Sequence, residues 1–169
     1  VWPAVVDVSN DPDVLKVYGE TAGDKIGLLK IGDAGDILGH DGVNEAYILS
    51  EKATVDGNPE GRKVYFLEGG MQHTSPLDLS LFGDTRVTHK AEFEFMPTQA
   101  NAAGRVDSDE YDDFVVCSTN APNPLNQVGS CRVISSNQNF PPSFTMSEIS
   151  NVVAANGGED SYRLGTVVD

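Results

Sequence analysis

Residues 31–42, IGDAGDILGHDG, place three aspartates, a histidine and four glycines in twelve positions. The carboxylates of Asp33, Asp36 and Asp41 are hard oxygen donors, and the glycines between them permit bends tight enough to aim backbone carbonyls inward. Those are the ingredients of a calcium loop, which needs six to eight oxygens and could draw further ones from Asn44 or Glu45. Residues 106–113, VDSDEYDD, form a second cluster, in which Asp107, Asp109 and Asp112 are the candidate ligands beside Glu110 and Asp113. Like charges this crowded repel unless they diverge into water or share a cation. The competing reading of both stretches is an acidic, solvated loop, and the sequence favours it. If cations do bind, two separate sites are expected, because nothing in the sequence sets a distance between the clusters.

Other chemistry finds less support. Residues 31–42 lack the alternating ligand series and terminal glutamate of an EF-hand. The fragment GDAGD looks like part of a calcium-binding glycine-aspartate repeat, but no successive copy follows it. His40, His73 and His89 are the only histidines and none stands in an HExxH arrangement. Ser75 has no GxSxG setting, and Cys117 has no partner histidine that the sequence defines. Neither LEGGMQHTS nor IGDAGDILG carries a complete phosphate-binding glycine pattern. No catalytic constellation emerges, so a hydrolase or lyase is only a third class. Trp2, Tyr18, Tyr47, Tyr65, Tyr111 and Tyr162 could form a carbohydrate-stacking surface, although core packing accounts for most aromatic residues.

The 169-residue chain suits one domain over residues 1–169, and 39% hydrophobic residues suffice for a core. With 26 acidic residues against 11 Lys plus Arg, the formal charge is −15. That balance repels nucleic acid, whose binding rests on phosphate neutralisation, and attracts cations or basic surfaces. No stretch is long and apolar enough for a membrane span. A first residue of Val1 suggests removal of a leader. Cys117 and Cys131, the only cysteines, are expected to form a disulfide, which together with Val1 points to a secreted or cell-surface location.

The elements that must position these residues are read from short apolar runs between turns. KIGLLKI, AYILS within residues 44–55, RKVYFLE, FVVC and CRVIS predict strands, with DGNPEG as a turn at residues 56–61. PLDLSLF and THKAEFEF alternate as strands do, and residues 99–113 read as a polar connection. TMSEISNVVAANGG predicts one short helix near the C-terminus, capped by Thr145 or Ser147 with Met146, Ile149, Val152 and Val153 on one face. The expected fold is mainly β, an antiparallel β-sandwich or jelly-roll-like domain.

The function expected from these features is a non-catalytic extracellular protein of structure, surface attachment or self-assembly. The terminal VWPAVVDV and YRLGTVVD segments are the first candidates for strand exchange. The alternative is a carbohydrate- or other ligand-binding module, with or without calcium, bordered by loops at residues 96–112 and 118–130. No motif requires a cofactor.

Overall fold

A computed structural model describes residues 11, 13–55, 58–71, 73, 75–81, 89–93, 98–118, 130–136, 143–145 and 152–156. Short runs rich in Val, Ile, Tyr and Phe, punctuated by Gly and Asp turns, form strands arranged mostly antiparallel. The largest sheet contains β2 (Ile26–Gly35), β3 (Glu45–Ser50), β5 (Asn58–Leu67), β7 (His89–Phe93) and β11 (Ser143–Thr145), in the spatial order β11-β7-β5-β3-β2, and β4 (Ala53–Val55) pairs with β5 off that path. A second sheet has the order β12-β10-β9-β8, made by β8 (Gln99–Gly104), β9 (Asp113–Ser118), β10 (Ser130–Ile134) and β12 (Val152–Asn156). A parallel pair of β1 (Val17–Tyr18) and β6 (Leu77–Asp78) completes the strands among the described residues, and a short 3-10 turn, Leu79–Leu81, follows β6.

The two-residue period of β3 and β5 sorts their side chains onto two faces. Tyr47, Leu49, Val64 and Phe66 share one buried cluster with Ala34, Ile37 and Leu38 and with Ala100, Phe114, Val116 and Ile134 of the second sheet. Ile48, Tyr65 and Leu67 point the other way, into a cluster with Leu77 and Leu79 against which Val17 and Ile26 pack. Because both faces are covered, AYIL and VYFL read as continuous apolar runs instead of alternating ones. Phe114 meets the rings of Tyr47 and Phe66 edge-on, with both centroid separations 5.0 Å. The Tyr47 hydroxyl donates to the Ala100 carbonyl, tying β3 to β8. Gly32 is required beneath that ring, since a Cβ there would sit 2.8 Å from Tyr47 Cε1.

The expected C-terminal helix is not seen among the described residues: Val152–Asn156 is a strand, paired antiparallel with β10 so that Ile134 faces Val152 and Ser130 faces Asn156. The β-branched pair Val152–Val153 suits a strand, and the ladder offered by β10 outweighs the helical spacing. Thr145, one of the two expected caps, instead ends β11, while residues 146–151, with the other cap Ser147, lie outside the described set. The supposed polar connection begins with β8, whose backbone pairs with β9 and whose Ala100 is fully buried. Leu79 and Leu81 lie in the 3-10 turn, leaving β6 only two residues long. Part of the expected turn DGNPEG is strand, since β5 begins at Asn58, which pairs with Val55 of β4. The two terminal segments VWPAVVDV and YRLGTVVD lie outside the described residues.

Candidate functional site

Strand β2 extends through Gly35, so the first half of IGDAGDILGHDG is sheet and only residues 36–44 form a loop. Gly35, with φ +78°, turns the chain out of the sheet, and a Cβ there would lie 2.9 Å from Asp112 Cβ. The acidic side chains then fasten the loop to itself. Asp33 accepts from Gly35 N at 2.8 Å and from Asn44 Nδ2 at 2.9 and 3.1 Å. Asp36 Oδ2 accepts from Gly42 N at 2.8 Å, and Asp41 Oδ1 from Val43 N at 2.9 Å. Glu45, at the start of β3, is buried and accepts from Ile37 N at 2.7 Å and Leu38 N at 3.0 Å. Burial raises the Glu45 pKa, assisted by the Asp36 charge and opposed by the backbone donors of Leu38, Ile37 and Gly69.

The second acidic stretch follows the same plan. Asp107 accepts from Asp109 N at 2.9 Å and from the Ser135 hydroxyl at 2.7 Å. These bonds, the Ser135 one foremost, hold its carboxyl below the ordinary aspartate value. Asp109 Oδ1 accepts from Tyr111 N at 2.9 Å. Asp113 is fully buried and accepts from Val106 N at 2.7 Å, Asp107 N at 3.3 Å and Ser136 N at 3.3 Å. One buried acid thus anchors each loop, Glu45 the first and Asp113 the second.

The fold brings the two clusters together, a proximity the sequence does not disclose. Asp36 N donates to Asp112 Oδ2 at 3.3 Å, and the His40 ring stacks on Tyr111 with centroids 3.7 Å apart. Asp36 Oδ1, Asp109 Oδ2 and His40 Nε2 are buried without a hydrogen-bond partner. Among the described residues, no group of three or more His, Cys, Asp or Glu side chains is placed to hold a metal ion. A third segment joins this end through Gly69, where a Cβ would stand 2.2 Å from the Asn44 carbonyl oxygen.

The remaining candidates are dispersed. His73 Nε2 lies 2.9 Å from the Glu68 carbonyl. Ser75 donates to the Val14 carbonyl and accepts from Lys16 N, so its hydroxyl joins two chain segments. The side chain of His89 and residues 119–129 lie outside the described set. Cys117 and Cys131 are bonded across directly opposed positions of β9 and β10, with Cα atoms 4.0 Å apart. Ser135 was not marked by the sequence, whereas Glu45 and Asp113 were legible only as members of acidic runs. The signal that separates these two acids is position: each stands at the start of a strand carrying buried residues.

These features define a mainly β, disulfide-bonded chain with an acidic loop end; no helix among the described residues is long and apolar enough to cross a membrane. No family model, curated protein or solved structure matches it.

Proposed function

We propose that the chain is a non-catalytic extracellular protein, a β-sandwich used in structure, surface attachment or self-assembly. The observation that carries this reading is the use of its acids: Asp33, Asp36, Asp41, Glu45, Asp107, Asp109 and Asp113 each accept from nearby backbone N–H groups. Such bonds make a rigid scaffold from loops that would otherwise carry unpaired donors. The Cys117–Cys131 bond suits an oxidising, extracellular setting. Strands β11 and β12 end their sheet orders among the described residues, and a strand end of that kind can extend by pairing with another chain. At a formal charge of −15, association between copies must overcome repulsion and is helped by salt. Sedimentation velocity over a concentration series at low and high salt tests the assembly role. Larger species that grow with concentration and salt support it; one monomeric species throughout contradicts it.

A further inference from the structure

We propose that the loop end built from residues 36–44, 68–71 and 105–112 is a docking surface for a Lys- and Arg-rich protein segment carrying apolar side chains between its charges. The inference rests on the attachment reading and specifies the surface being attached. Among the described residues, four large apolar side chains are exposed at this end: Val43 at 40%, Met71 at 43%, Val106 at 56% and Tyr111 at 37%. They lie on segments in mutual contact. Val43 approaches Gly69 and Gly70, the residues before Met71, while His40, three positions before Val43, stacks on Tyr111 in the loop that carries Val106. Asp33, Asp41, Asp107 and Glu110, in or beside the same segments, are exposed as well.

The charge pattern selects the partner. Arg105 is the only Lys or Arg in residues 33–45, 68–71 and 105–113, so this end attracts a cationic segment and repels a second copy of a chain whose formal charge is −15. Charge alone would hold any polycation weakly and reversibly. The apolar residues add desolvated contacts that a bare polycation cannot use. The carboxylate bonds already fix the loops, which lowers the ordering cost of binding. A calcium ion would engage the acids and ignore Val43, Met71 and Val106, whereas a neutral glycan would make no use of the net charge.

Fluorescence anisotropy with two labelled probes, a short peptide alternating Lys with Leu and an oligolysine of equal charge, tests the proposal on the full chain. At moderate salt the Lys–Leu peptide is expected to bind about tenfold more tightly than oligolysine. Combining Val43→Ser with Met71→Ser removes that advantage while leaving oligolysine binding and the thermal transition unchanged. Combining Asp41→Asn with Glu110→Gln weakens both probes. Equal affinity for the two probes, an unaltered Lys–Leu affinity in the Val43/Met71 variant, or displacement of the peptide by calcium in a saturable manner overturns the proposal. Absence of peptide binding in a chain that self-associates removes the docking surface and leaves the structural reading in place. Specific peptide binding by a strictly monomeric chain upholds the docking surface and counts against self-assembly.

Discussion

His40 and Tyr111 stack with ring centroids 3.7 Å apart and planes inclined by 14°, joining two acidic loops that are remote in sequence. A stacked pair of this kind contributes about 0.5–1.5 kcal/mol beyond the area it buries. A double-mutant cycle of His40→Ala and Tyr111→Ala, read by urea unfolding, is expected to return a coupling in that range. Additive effects would show that the loops are held independently of the stack.

Glu45 is the anchor of the first loop. Replacing it by Ala leaves the buried amides of Ile37 and Leu38 without their acceptor, and is expected to cost about 2 kcal/mol or more in chemical denaturation. Its raised pKa also fixes a pH dependence. The folded state binds this proton more tightly than the unfolded chain, so the contribution is full below the ordinary value of 4.5 and is lost as pH rises through the folded value. Asp78 and Asp107, both lowered from 3.8, act in the opposite sense, contributing above that value and losing it as pH falls through their folded values. Thermal unfolding across the acid range should therefore show stability rising from neutral pH toward 4.5 and falling below 3.8. Glu45→Gln should flatten the rise, because it retains an acceptor oxygen but does not titrate.

Tyr47 predicts a second, alkaline dependence. Burial raises its phenol from 10.0 to about 12, so its contribution is full below pH 10 and is lost as pH rises through about 12. In a spectrophotometric titration, the Tyr47 phenol should ionise late, together with unfolding. Tyr47→Phe should abolish the late ionisation and cost about 1 kcal/mol at neutral pH through loss of the bond to Ala100.

The Cys117–Cys131 bond closes a loop with a sequence separation of 14. Its removal by Cys117→Ser with Cys131→Ser is expected to lower stability by about 3 kcal/mol, measured by urea unfolding under non-reducing conditions. An unchanged midpoint would mean that β9 and β10 hold their register without it.

The strands with dense apolar runs were legible in the sequence because burial on both faces writes itself as AYIL and VYFL. The disulfide was legible because FVVC and CRVIS read as neighbouring strands that carry the chain's two cysteines. Strand β8 was not, since QANAAG is small and polar and owes its form to the ladder with β9 and to the bond between Tyr47 and Ala100. The expected helix failed for a related reason: the spacing of Val152 and Val153 fits a helical face, but the neighbouring β10 decides the outcome. The acids themselves were found, while the proximity of the two clusters was not. The contact between Asp36 and Asp112 depends on how β2 and β9 are brought together, a long-range arrangement to which local composition is blind.

The acidic side chains fasten the loops by accepting from backbone amides. Amide hydrogen exchange followed by NMR tests it most directly. The amides of Ile37, Leu38, Gly42 and Val106 bond to Glu45, Asp36 and Asp113 outside any strand ladder. They are predicted to exchange slowly at neutral pH, and in Glu45→Ala the amides of Ile37 and Leu38 should lose protection while that of Val106 keeps it. Exchange of all four at the rate of an open loop in the unmodified chain would contradict the account.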